Sequence, residues 1–316
     1  MRTEISKDID LAEARIQYDK YCKKVLSNKV ILAWILRRTV KEFAQCSIDE
    51  IELCIEDTPE VSTVKVNPGE SNLEKITGIS TEDAVNEEGV IFYDIRFFAY
   101  LPGKNEKIKL IVNVEAQKKF RPGYQLVTRG IFYSARMLSA QLGIEFIIPE
   151  YDNIKKVYSI WICMNSPSYI GNAISEYCIE KNDVVPGIPD EREAYDKMSV
   201  IMVCLNEKTK TEDDFLKMLN VLLSPEMPKK EKKQTLEDDY QIPMNNELGR
   251  ELNIMCNLSE LVEEKGMEKG MEKGMEEGIK QGKIVTLADL VREGILPLAD
   301  AAKRAGLTES QFKKYL

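Results

Sequence analysis

From Gly89 to Gln141 the chain reads GVIFYDIRFFAYLPGKNEKIKLIVNVEAQKKFRPGYQLVTRGIFYSARMLSAQ, and this stretch constrains the fold more than any other. Two β-like runs are joined by the Pro102-Gly103 turn and followed by an amphipathic helix. Each run carries one acid that a buried strand should not hold: Asp94 in the first, Glu115 in the second. Side chains alternate along a strand, so Asn113, Glu115 and Gln117 share one face while Val112, Val114 and Ala116 share the other.

A carboxylate is costly to bury unless it is paired or bound to a metal. Two readings of the acids stay open. One is an ion pair, with Arg96 beside Asp94 in sequence. The other is a divalent cation held by Asp94 and Glu115 from neighbouring strands, with the Ala116 carbonyl as a further oxygen donor. Such a cation lowers the pKa of water and stabilises charge on a phosphoryl oxygen.

The helix read over 124–142 adds positive charge nearby. Gln125, Arg129, Tyr133 and Arg136 fall on one helical face, and Leu126, Ile131, Ala135, Leu138 and Leu142 are expected to supply much of its apolar surface. Lys118, Lys119 and Arg121 fill the connection after the acidic strand. Cations beside two carboxylates suit a phosphodiester held against a metal; a solvated basic helix face is the alternative.

Asp94, then Glu115-Ala116-Gln117, then Arg129 and Tyr133 on a helix resembles the PD-(D/E)XK nuclease superfamily, most of all its transposase-like, recombination-promoting nuclease branch. The resemblance covers most of the chain. It takes in Thr81-Glu82-Asp83, Tyr240-Gln241-Ile242-Pro243, Ile254-Met255-Cys256-Asn257-Leu258 and the Glu-Lys-Gly-Met repeats. It implies a restriction-endonuclease-like α/β fold, a mixed sheet flanked by helices, with a helical C-terminal tail. It further implies a Mg²⁺-dependent DNA endonuclease (Mn²⁺ being an alternative cation) linked to recombination or mobile elements. Asp94 and Glu115 would be the metal ligands and Gln117 a catalytic residue. Lys118, Lys119, Arg121, Arg129 and Tyr133 would contact the phosphate backbone. Gln117 stands where many superfamily members carry Lys; it can orient water or phosphate by hydrogen bonding but cannot carry charge. A catalytically weak or inactive adaptor on the same fold, nucleic-acid-binding or oligomeric, is the alternative function, and an RNA-directed nuclease a further one. On the sequence alone, Asp94→Ala or Glu115→Ala is expected to abolish cleavage without lowering the melting temperature.

Composition narrows the chemistry. The 316 residues include no His, which removes His-based triads, the commonest general base and most zinc sites. A net charge of −9 makes any nucleic-acid surface local. The seven Cys form no CxxC pair and are odd in number, and with no leader or long apolar span they read as reduced thiols in a cytoplasmic protein with no membrane partner.

Four segments are expected: a nuclease-like domain over 1–225, a charged helical connector over 226–258, a tetrapeptide repeat over 259–283 and a small helical hairpin over 284–316. Residues 1–20 read as a loosely packed helix without a site. Val30 to Phe43 reads as an apolar helix against the sheet, with Arg38 and Glu42 spaced to pair. Glu42 and Glu82 are further candidate acids for the metal site. Lys156 to Met164 reads as a strand parallel to that of Glu115. Ile174 to Ile179 and Val200 to Leu205 read as edge strands, and Asp213 to Leu223 as a closing helix.

In the repeat, Gly266, Gly270, Gly274, Gly278 and Gly282 recur every four residues. Each Gly costs a helix ~1 kcal/mol relative to Ala. A period of four drifts about 40° per repeat on a 3.6-residue helix, so no fixed coiled-coil seam results. A frayed spacer is the expectation, with a helix packed against a partner as the alternative. The tail is also the expected site of any homo-oligomer.

Overall fold

The computed structural model describes residues 4–55, 60–61, 82–85, 89–92, 94–101, 109–117, 120–244 and 246–316; of these, 4–9, 60–61, 82–85, 89–92, 109–113 and 115 are described for the backbone alone. The chain divides into two compact units, Arg15–Leu258 and a second made of Met1–Ala14 with Ser259–Leu316.

The larger unit is α/β. Its strands are β1 (Glu60–Val61), β2 (Glu82–Val85), β3 (Gly89–Phe92), β4 (Ile95–Tyr100), β5 (Lys109–Gln117), β6 (Val157–Cys163), β7 (Ala173–Cys178) and β8 (Met198–Cys204). Six form one mixed sheet in the order β1-β4-β5-β6-β8-β7, while β2 and β3 pair as a separate ribbon. β4 and β5 are antiparallel, β5, β6 and β8 parallel, and β7 runs antiparallel to β8 at the edge. The helices are α1 (Glu4–Leu26), α2 (Lys29–Thr39), α3 (Ile48–Cys54), α4 (Leu126–Ser139), α5 (Arg192–Tyr195), α6 (Asp214–Leu223), α7 (Lys229–Asp238), α8 (Glu247–Arg292), α9 (Leu298–Ala305) and α10 (Glu309–Phe312).

All seven residues of β6 are buried, as a central parallel strand covered on both faces requires. One face carries Ile95, Phe97, Val114, Ala116, Ile160, Ile162, Ile201 and Val203, packed with Cys22, Val25 and Leu26 of α1, Ile31, Leu32, Ile35 and Leu36 of α2, and the apolar stripe of α6. Full burial of such aliphatic side chains contributes roughly 1.5–3 kcal/mol each. Asn28 caps α2 by accepting from Val30 N, and Asp213 caps α6 by accepting from Leu216 N.

On the other face, Val157, Trp161, Cys163, Val200, Met202 and Cys204 meet Leu126, Tyr133 and Met137 of α4. Gly130 sets the spacing: a Cβ there would lie 2.6 Å from Val200 Cγ1 and 2.9 Å from Trp161 Nε1. The expected apolar face of this helix needs correction. Ile131, Ala135 and Leu142 are exposed, while Gly130, Tyr133, Ser134, Arg136 and Met137 are turned inward. Gln125 lies outside the helix as its exposed N-cap residue.

Other expectations shift as well. The first β-like run is two strands, not one: β3 pairs with β2, β4 pairs with β5, and Asp94 lies in the break. β8 is not an edge strand but lies between β6 and β7. The Pro102-Gly103 turn and Thr81 lie outside the described residues.

In the second unit, Ile284, Leu287, Ala288, Ala301, Ala302 and Phe312 form a small core. Gly306, at φ 69°, ends α9, and Leu307 N returns to Ala302 O. Thr308 and Gln311 form a capping box that starts α10. The repeat is continuous helix within α8, contrary to the frayed spacer. Among the described residues, a Cβ on any of its five glycines would meet nothing within 4 Å, and the Glu, Lys and Met between the glycines favour helix. Among the described residues no helix is long and apolar enough to cross a membrane. None of the seven cysteines, all of them among the described residues, is in a disulfide.

Candidate active site

Asp94 and the backbone of Glu115 stand at one level at the end of the β4–β5 pair. Ile95 pairs with Val114 and Arg96 with Asn113. Asp94 is therefore one step beyond the last pair, at the level of Glu115. Its Oδ2 accepts from the Ala116 amide at 3.0 Å. The side chain of Glu115 lies outside what is described; its backbone pairs in register with Trp161 on β6. Gln117 pairs with Cys163 and is half-buried, and its carbonyl accepts from Met164 N at 2.9 Å.

An ion pair does engage Asp94, through a residue other than Arg96 and far from it in the chain. Lys23 of α1 places Nζ 2.8 Å from Asp94 Oδ1 and 3.1 Å from Asp19 Oδ2. Burial alone would lower the pKa of Lys23; the charges of Asp94 and Asp19, and its hydrogen bonds to both, more than offset this and hold it above the usual lysine value. The only local signal is the i, i+4 spacing of Asp19 and Lys23 beside the buried stripe of Tyr18, Cys22, Val25 and Leu26. Nothing in it names Asp94 as the partner.

Arg129 approaches from the opposite layer. Its guanidinium carbon lies 4.9 Å from the Tyr133 ring centre and 5.4 Å from that of Trp161, and it donates to the Tyr124 hydroxyl at 2.8 Å and to the Tyr133 hydroxyl. Trp161 is the register partner of Glu115, so this cation stands above the same level of the sheet, one strand spacing (~4.8 Å) across. The Trp161 ring is fixed by its Nε1 donating to Ser159 Oγ at 2.8 Å and by tilted packing on Tyr133 at 5.4 Å. Arg136, two turns further on, is buried. The helix face is thus neither a solvated basic face nor a row of cations open to solvent. Arg121 is exposed; Lys118 and Lys119 lie outside the described residues.

Glu42 belongs elsewhere. It follows α2 in a short 3₁₀ turn (Lys41–Phe43), accepts from the Tyr158 hydroxyl at 2.6 Å and lies 3.6 Å from Lys156 Nζ. Tyr158 pairs with Val112, three residues before Glu115, or ~10 Å along the strand. Arg38 pairs with Asp213 at 2.8 Å rather than with Glu42. Glu82 opens β2 opposite Phe92, and its side chain is not described. On the α4 side, Cys163 is pushed up to about 12 by burial and by Cys204, so it is no thiolate nucleophile.

Among the described residues no group of three or more His, Cys, Asp or Glu could hold a metal ion. Mg²⁺, however, is commonly bound by one or two carboxylates together with waters and substrate phosphates. A carboxylate has about four acceptor positions, so Asp94 can accommodate an ammonium, an amide and a cation together. With Glu115 on the neighbouring strand, the donor chemistry fits a hard divalent ion.

Compared with protein-family models, curated proteins and solved structures, the chain has no match in any of the three.

Proposed function

We propose that the chain is a metal-dependent DNA endonuclease of the restriction-endonuclease-like class. The observation that carries this reading is the meeting of Asp94 with the Glu115 level of β5, beneath a helix that brings Arg129 to the same level. Asp94 and Glu115 would hold Mg²⁺ or Mn²⁺. When bound, the ion supplies a water of lowered pKa and stabilises charge on the phosphodiester. The Ala116 amide fixes the Asp94 carboxylate. Gln117 orients water or a phosphate oxygen by hydrogen bonding. Arg129, aligned by Tyr124 and Tyr133, binds the phosphate, with Arg121, Lys118 and Lys119 extending the contact. The link to recombination or mobile elements rests on the family resemblance alone.

One observation favours a second reading. Asp94 is already neutralised by Lys23, as it would be in a nuclease-like fold that binds nucleic acid without cutting it. Supercoiled-plasmid nicking by the purified full chain with Mg²⁺, Mn²⁺, Ca²⁺ or EDTA separates the two, with a labelled RNA run alongside. The nuclease reading predicts nicking in Mg²⁺ or Mn²⁺ and none in EDTA. Binding of the plasmid without nicking in any metal assigns the chain to the adaptor reading.

A further inference from the structure

The Asp94 carboxylate, assigned above to a divalent cation, already holds a cation of the chain's own. Lys23 Nζ lies 2.8 Å from Asp94 Oδ1 and 3.1 Å from Asp19 Oδ2, on a side chain only 6% exposed. It cannot swing away freely. Its neighbours Cys22, Val25 and Leu26 are fixed in the main core, and Asp19 grips the ammonium from one turn earlier. The other oxygen of Asp94 is held by the Ala116 amide, so the carboxylate cannot rotate to present a different edge without losing that bond.

We infer that Lys23 is a resident counter-ion of this site: its ammonium keeps Asp94 ordered before metal arrives and opposes the entry of a divalent cation on the same carboxylate. The inference rests on the metal-site reading. Its physical basis is like-charge repulsion around one shared acid. Two consequences follow for the free protein. Metal affinity is weaker than two carboxylates alone would give. A neutral residue at position 23 strengthens it, because Asp19 and Asp94 then face the vacated position together.

The test is Mn²⁺ binding to the full chain, read by the electron paramagnetic resonance signal of the free ion, with no substrate present. Lys23→Gln is expected to bind Mn²⁺ about tenfold more tightly than wild type, or ~1.4 kcal/mol. Lys23→Arg keeps the charge and is expected to bind like wild type. Adding Asp94→Asn to Lys23→Gln is expected to remove the gain. Asp19→Asn needs no change at Lys23; it leaves the ammonium to Asp94 alone and is expected to weaken binding about threefold, at a cost of under 1 kcal/mol. Unchanged or weaker binding by folded Lys23→Gln, or tighter binding by Asp19→Asn, overturns the counter-ion role while leaving the metal site standing. No Mn²⁺ binding by any of these proteins overturns the metal site, and the counter-ion role with it.

Discussion

Removing the Asp94 carboxylate should destabilise the larger unit as well as the chemistry. Asp94 accepts a charge-assisted bond from Ala116 N, and such bonds contribute about 1.5–3 kcal/mol. It also balances Lys23, and breaking a buried pair costs about 3–5 kcal/mol when one charge is stranded. That second figure must be discounted, because Asp94 keeps 15% exposure and Lys23 keeps Asp19. About 3 kcal/mol remains for Asp94→Ala, which for a unit of this size lowers the melting temperature by about 6–12 °C. Asp94→Asn retains an acceptor for the amide and loses only the charge, so about half that drop is expected. Circular dichroism melts of wild type, Asp94→Asn, Lys23→Gln and the double variant complete a cycle, with a coupling of about 1–2 kcal/mol. Additive single effects, or Asp94→Ala melting within about 1 °C of wild type, would refute the contact and restore the view of Asp94 as an acid without a structural role.

Gly130→Ala drives a methyl into Val200 and Trp161; the expected loss is about 1–3 kcal/mol, with α4 displaced, read as a lower melting temperature and weaker DNA binding. Replacing Gly266, Gly270, Gly274 and Gly278 with Ala should stabilise the repeat helix by ~1 kcal/mol per site, seen as slower amide exchange over 259–283 with the larger unit unchanged. Burial, then the charge of Glu42, raises the Tyr158 hydroxyl above its usual 10.0. The unfolded chain therefore releases this proton first. The stability from Tyr158 is full below about pH 10 and is lost as pH rises past it. Lys23, raised from 10.5, acts in the same direction. Urea unfolding across that range should show the decline, with a shallower slope for Tyr158→Phe; equal slopes would remove Tyr158 as a cause.

Much of the sheet was legible because β5 and β6 state their surroundings. Val112, Val114 and Ala116 alternate with Asn113, Glu115 and Gln117, and the unbroken apolar run of β6 marks a strand covered on both faces. The break at Asp94 was not legible, since apolar residues continue on both sides of it. The inner face of α4 was not legible, because apolarity does not track burial on this helix. Gly130 is buried for closeness, and Tyr133 and Arg136 turn inward with long apolar stems, while Ile131 and Phe132 remain outside. Lys23 was invisible for a different reason. A lysine on a polar helix reads as solvated until the fold brings an acid from 71 positions away to meet it. In the repeat, five glycines at ~1 kcal/mol each point to fraying, yet the Glu, Lys and Met between them favour helix and the helix is continuous.

The most direct test of the central claim is nicking of supercoiled plasmid in Mg²⁺ by Glu115→Ala, beside wild type, at a temperature where both are folded. Glu115 is the better choice than Asp94, whose loss also disturbs Lys23 and the Ala116 amide. A cation contributes several kcal/mol to transition-state charge, so the account predicts a rate lower by about two decades or more with DNA binding retained. Nicking by Glu115→Ala at the wild-type rate would contradict it and move any catalysis away from this strand.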